Sequence, residues 1–280
     1  MWTLSGFADE ISPKLDEQIA LLNKLGVHSI ELRTVDMVKV LDFTDEQLRQ
    51  VKEALDRGGI TVSSVGSDLG KILITDDFAP HLERTRRAVK VAQVLGAPYI
   101  RVFSFFIPQG EDPARYRDEV LERTRAMVAT LEGTDVVMLH ENEKDIFGDV
   151  PSRVRDLLAS IDSPRYRAVF DPANYVQCEV RPMDEAWDQV KEFVDYIHCK
   201  DAKFPVDAED IGEVVPCGQG DGQWPALIAA LKERGYEGFF SLEPHLGQFD
   251  AYGALSGPEN FTRAHKALTS LFADAGMTAH

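Results

Sequence analysis

Two hydrophobic rhythms follow one another along the whole chain. Short apolar runs of strand character alternate with longer stretches in which apolar residues recur at helical spacing. Thr3–Phe7 reads as a first strand. Ser12-Pro13 then opens a helix, with Ser12 as N-cap, Pro13 at the first helical position, and Gly26 as its stop. Val27–Leu32 is the second strand. Thr44, with Gln47 three residues on, forms a capping box for a helix ending at Gly58-Gly59, and Ile60–Val65 is the third strand. The spacing predicts a helix over Phe78–Leu95, stopped by Gly96, before strand Tyr99–Phe103. Helix Asp112–Leu131 precedes strand Val136–Glu141. Helices from about Pro151 and about Met183 precede strands Ala168–Asp171 and Tyr196–Lys200. Trp224–Arg234 leads through Gly235 into Phe239–Glu243, and helix Glu259–Phe272 closes the chain.

Strand starts near 3, 27, 60, 97, 135, 167, 196 and 238 are separated by 24 to 42 residues, the length of βα units. Eight such units predict an α/β fold: a single (β/α)8 TIM barrel spanning residues 1–280, with the active site at the C-terminal ends of the strands. The connection from Ala202 to Gly222 is longer than the others and carries Gly218-Gln219-Gly220-Asp221-Gly222, which suggests a cover over the barrel mouth. Its Gly-x-Gly does not join a strand directly to a helix, so it is a poor dinucleotide signature.

Composition narrows the partners. With 280 residues, 44% of them hydrophobic, the chain can bury a large core. A formal net charge of -17 argues against nucleic acid as a partner. No apolar run reaches the roughly 20 residues of a membrane helix, and no basic and then apolar leader opens the chain, so a cytoplasmic protein is expected. Three cysteines are too few and too scattered for a disulfide framework or a thiolate zinc site.

The strand ends carry the chemistry. Val136-Val137-Met138-Leu139-His140-Glu141 is apolar until it ends in His and Glu; three later strands end likewise, at Asp171, His198 and Glu243. Each alone has a plainer reading: Asp171 as a helix cap, Glu243 as a turn residue, His198 as a satisfied buried histidine. Adjacent strands stand about 4.8 Å apart, so four consecutive ends can surround one ion. Glu141, Asp171, His198 and Glu243 form a hard, oxygen-rich set suited to one divalent metal ion, Mn²⁺ foremost, with Mg²⁺, Co²⁺ and Zn²⁺ as alternatives. His140 faces away from this group by strand alternation and reads as structural. Lys200, two residues beyond His198, shares its face and is placed to polarise a substrate oxygen or to pair with an acid such as Asp201. Glu31 ends the second strand and is expected at the mouth. Phe103, Phe105, Phe106, Tyr175 and Trp224 either wall the pocket or fill the core.

His140-Glu141-Asn142-Glu143, Phe170-Asp171-Pro172-Ala173-Asn174-Tyr175, His198-Cys199-Lys200-Asp201 and Ser241-Leu242-Glu243-Pro244-His245 resemble the sugar phosphate isomerase/epimerase family, with its xylose isomerase-like barrel. Gly6-Phe7-Ala8-Asp9-Glu10 and Gly66-Ser67-Asp68-Leu69-Gly70-Lys71-Ile72 also look like stretches of it. The resemblance runs from about Thr3 to Phe272. It implies a divalent ion on Glu141, Asp171, His198 and Glu243, with Glu141 and Glu243 as acid/base residues on opposite faces of an enediolate. It implies a substrate contact at Asn174, and Lys200, His245 and Glu31 are expected to bind the substrate beside it. The family's ketohexose epimerases carry an acid where this chain has Phe147, and an arginine near Lys200-Asp201; both departures set this chain apart from them.

The expected activity is therefore a divalent-metal-dependent isomerase or epimerase of a sugar or keto-sugar. Proton abstraction beside a carbonyl puts charge on oxygen, which a cation stabilises, and a carboxylate removes the proton. The same first step followed by expulsion of a β-substituent would make a lyase, such as a keto-acid dehydratase or a 3-keto-glycoside eliminase. An apurinic endonuclease of the same barrel class fits less well. It needs several strand-end histidines and a basic face, and of seven histidines only His140, His198 and His245 lie near strand ends. A non-catalytic sugar-binding subunit is the remaining alternative. The partner is a small sugar or keto-sugar, without nucleic acid or membrane; self-association as a homo-oligomer is left open.

Overall fold

A computed structural model describes residues 2–207, 212–250 and 253–280. Eight parallel strands form one sheet: β1 Thr3–Gly6, β2 Ser29–Leu32, β3 Thr61–Val65, β4 Tyr99–Val102, β5 Val137–Glu141, β6 Tyr166–Phe170, β7 Val194–Cys199 and β8 Phe239–Leu242. The hydrogen-bonded ladder runs in chain order from β2 to β8 and then to β1, and β1 lies beside β2, so the sheet is a nearly closed barrel. The predicted strands agree with these to within two or three residues at each start.

Helices α1 Leu15–Leu25, α2 Asp45–Arg57, α3 Phe78–Leu95, α4 Arg117–Ala129 and α5 Pro151–Ile161 surround the first strands. The short α6 Pro172–Gln177 and α7 Trp187–Val190, then α8 Trp224–Glu233 and α9 Gly257–Asp274, complete the ring. Thr44 caps α2 through the expected box, accepting from the Gln47 amide while the Gln47 side chain accepts from its own. Gly26 and Gly96 follow α1 and α3 with φ of 72° and 68°, the left-handed conformation in which a side chain would be strained. The start of α1 differs from the sequence reading. Lys14, not Ser12, occupies its N-cap, and Pro13 stays outside, because the Ser12 hydroxyl turns to Glu17 and to the Lys14 amide instead.

The barrel interior is built in layers from alternate residues of each strand. Leu139, Val169 and Tyr196 pack together near its floor with Tyr99, Val137 and Phe239. Ser63 Oγ sits 2.6 Å from Ser5 Oγ and 2.8 Å from the Tyr196 hydroxyl. Above lie Glu31, Arg101 and His198, two residues further along their strands, and then Glu141, Asp171, Lys200 and Glu243. Polarity thus increases towards the C-terminal mouth. His140, of opposite parity, leaves the interior and bonds Ser104 Oγ at 2.9 Å. Its burial pushes the imidazole down to about 3, so it is neutral and structural, as its parity requires.

Candidate metal and active centre

Residues at the top of β5 to β8 converge. Glu141, Asp171, His198 and Glu243 are all buried, and each offers a ligand atom within 4.8 Å of the others. His198 Nδ1 lies 3.1 Å from Glu141 Oε1, 3.5 Å from Glu243 Oε2 and 3.9 Å from Asp171 Oδ2. Neither His198 Nδ1 nor Asp171 Oδ2 has a well-directed hydrogen-bond partner, although Lys200 Nζ stands 2.9 Å from the latter. A buried imidazole nitrogen aimed at three carboxylates suits a shared cation. Asp171 serves both readings that the sequence left open. Its Oδ1 caps α6 through the Asn174 amide at 2.9 Å, and its Oδ2 faces the group.

Glu31 is not at the mouth, where the sequence placed it. It is 1% exposed, outside the cleft lining, and its Oε2 lies 3.2 Å from His198 Nε2. From there it orients the ring and leaves Nδ1 towards the three carboxylates, the usual partner of a metal-binding histidine. Burial opposes a charge on His198, but Glu141 and Glu31 outweigh it and hold the imidazole well above its ordinary range. Entry of a cation would displace that proton.

The other predicted residues fall around the same point. Lys200 does not pair with Asp201; its Nζ lies 2.9 Å from Asp171 Oδ2 and 3.1 Å from Glu243 Oε2. Asn174 Nδ2 donates to Glu141 Oε1 at 3.0 Å and to the Asn142 carbonyl at 2.9 Å. His245, at φ 50°, places Nε2 3.4 Å from Glu243 and from Glu10, and burial lowers it to about 4. Burial would raise Glu141, but His198 and Arg101 hold it below the ordinary carboxylate range. Burial likewise opposes the charge on Glu243, but Lys200, followed by His245, holds it well below that range. Asp171 moves the other way, because burial outweighs Lys200.

Sequence reasoning missed two arginines. Arg101 Nη1 lies 3.2 Å from Glu141 Oε2, and Arg33 Nη1 3.4 Å from Glu243 Oε1. Their guanidinium carbons stand 4.9 and 4.6 Å from the Phe7 ring centroid. Both had a signal in the sequence: Arg101 shares interior parity with Tyr99, and Arg33 with Glu31. The large aromatics took the plainer role. Phe103, Phe105, Tyr175 and Trp224 are core residues, and neither they nor Phe106 line the cleft.

The cleft above this centre has a volume of about 350 Å³. Glu141, Glu243, Asn174, Lys200, His245, Arg33 and Arg101 line it; Asp171 and His198 lie beneath. None of the described residues of the Ala202–Gly222 segment lines it, and 208–211, where the expected cover would extend, lie outside the described residues. Val214–Val215 instead pairs antiparallel with Asp201–Ala202. The buried Asp201 carboxylate accepts the amides of Ala202, Gly218, Gly220 and Gly222 at 2.8 to 3.0 Å. A Cβ on Gly220 or Gly222 would stand 2.6 Å from Asp201 Oδ1, so the glycines let the backbone wrap a carboxylate of the protein itself.

Comparisons with known proteins agree with this architecture. Relatives include a putative hydroxypyruvate isomerase of Homo sapiens, 26% identical over 173 residues, which are 58% of each chain. The chain thus spans a little under three fifths of the length of that curated relative. Among solved structures, one of the IOLI protein with a binding zinc atom superposes with a TM-score of 0.75 at 18% identity, covering 97% of this chain and 98% of that one. A D-tagatose 3-epimerase-like protein superposes with a TM-score of 0.75 at 15% identity, covering 98% of both. At such identities these structures show the fold alone. The model of the xylose isomerase-like TIM barrel family matches residues 19–270, and the chain belongs to that family.

Proposed function

We propose that the protein is a divalent-metal-dependent isomerase or epimerase of a sugar or keto-sugar, in which Glu141 and Glu243 move a proton at the carbon beside the carbonyl. One observation carries this reading: of the four clustered ligand residues, only these two carboxylates also line the cleft. Glu141, Asp171, His198 and Glu243 would hold the ion, with Mn²⁺ suited to so oxygen-rich a set; when bound, it supplies stabilisation of negative charge on the substrate's oxygens. The neighbouring cations hold both glutamates in the ionised form, the form a carboxylate must have before it can take a proton. Asn174 fixes one Glu141 oxygen, while Arg101 holds the other. Lys200 presents a buried ammonium to Glu243 and lines the cleft, where it can also meet a substrate oxygen. The likeness to a putative hydroxypyruvate isomerase supports an isomerisation at a small keto compound.

The test is proton NMR of keto-sugars and hydroxypyruvate with the Mn²⁺-loaded protein in D₂O. Deuterium should enter beside the carbonyl, with isomer or epimer accumulating and no loss of a hydroxyl. Loss of water instead would make the protein a lyase, and no exchange with any of these compounds would remove the isomerase reading.

A further inference from the structure

Cations outnumber carboxylates in the lining of the cleft. In a chain of net charge -17, its lining holds six cations, Arg33, Lys39, Lys71, Arg84, Arg101 and Lys200, against four carboxylates. The cations form two groups. Arg33, Arg101 and Lys200, with side chains 12%, 7% and 5% exposed, contact the clustered carboxylates and offset them. Lys39, Lys71 and Arg84 contact none of the four cluster residues and are wetter, at 41%, 33% and 29%. They reach the cleft from three places: the short strand Val38–Lys39, the loop after β3, and α3.

These outer cations retain donors that their acidic neighbours do not take. Lys39 gives one of its three N–H groups to Asp68, at 2.9 Å. Arg84 gives three of five, two to Asp68 and one to Asp42. Lys71 sits 2.8 Å from Glu143 with its ammonium 4.3 Å from the Phe103 ring centroid. Neutral polar groups, which would hold the hydroxyls of an uncharged polyol, are scarce. Ser67 donates to the Arg101 carbonyl, and both Asn174 amide hydrogens go to Glu141 and Asn142. A wall with spare cationic donors and few neutral partners is complementary to an anion.

We infer that the substrate carries an acidic group, a carboxylate or a phosphate, at the end away from Glu141 and Glu243, received by Lys39, Lys71 and Arg84. This deepens the isomerase reading by naming the substrate class, and rests on it only for what happens at the other end.

Calorimetric titration of the Mn²⁺-loaded protein with glycerate, glycerol 3-phosphate and glycerol tests it. These three-carbon probes differ at one end and require no turnover, so the result is independent of the exchange experiment. At least one of the two acids should bind about tenfold or more tightly than glycerol, with an advantage that shrinks as salt is added. Whichever acid binds more tightly identifies the group as carboxylate or phosphate. Lys39→Met and Lys71→Met, checked for folding by circular dichroism, should each weaken that acid about tenfold and leave glycerol unchanged. Equal binding of all three probes by the wild-type protein would overturn the inference without recourse to the variants. So would an acid preference undiminished in both variants, since the ion rather than the outer cations would then be holding the acid.

Discussion

At the scale of single residues, the two glutamates are where the proposed binding and the proposed chemistry can be told apart. Glu141 and Glu243 share the cluster with Asp171 and His198, yet they alone of the four face the cleft. A glutamine in either place keeps one carbonyl oxygen for an ion but loses the base. General acid–base catalysis is worth about 10²- to 10⁴-fold, so Glu141→Gln and Glu243→Gln should each lose at least that much turnover. Elemental analysis should find metal still bound in both. In a two-base epimerase, one variant should still exchange the substrate proton with D₂O while failing to invert the centre. Near wild-type turnover in both, with metal present, would move the proton transfer to Lys200 or His245.

At the scale of elements, the segment after β7 shows how an acid organises a loop. Asp201 follows Lys200 directly, and its carboxylate gathers four backbone amides, three of them from Gly218–Gly222. Burial raises this carboxyl, and the amides counter it. An asparagine would turn an N–H towards one pair of these donors, and the pair on Oδ1, Ala202 and Gly222, is itself buried. Leaving a buried donor without its acceptor costs about 1–3 kcal/mol, so Asp201→Asn should destabilise the protein by that order. Amide exchange at Gly218, Gly220 and Gly222 should rise with it. Unchanged exchange at these glycines would show that the loop is held by other contacts.

At the scale of the whole molecule, stability depends on charges buried where the barrel closes. Glu10 lies just after β1, where its Oε2 accepts from Ser256 Oγ at 2.6 Å and from the His245 amide at 2.9 Å, tying the first strand's loop to the chain beyond β8. Burial, opposed chiefly by Arg33, pushes its carboxyl from 4.5 up to about 8. A carboxyl raised in the folded state contributes stability fully below its unfolded value and loses that stability as pH rises through the folded one. The wild-type melting temperature should therefore carry a falling component between about pH 5 and pH 8. Glu10→Gln keeps an acceptor oxygen and removes the ionisation, so its melting temperature relative to wild type should climb by several degrees over that range. A constant difference between the two would mean that Glu10 is not protonated in the native protein.

The sequence by itself determined the elements and the parity within each strand. Its rhythm located eight strands, and alternation put His140 outside the barrel and turned Glu141, Asp171, His198 and Glu243 into its interior, because a strand's side chains repeat every two residues whatever surrounds them. Tertiary structure alone decided which of these side chains meet. Arg33 and Arg101 were legible as interior by parity but not as partners of Glu243 and Glu141, from which they are separated by 210 and 40 residues. Lys200 chose Asp171 and Glu243 over its neighbour Asp201, which the glycine loop had claimed. Glu31 meets His198 Nε2 at 3.2 Å across 167 residues of chain, a contact that its own strand's pattern does not record. Parity is a property of one strand, whereas height around a closed barrel is set jointly by the stagger of all eight, and no local pattern records it.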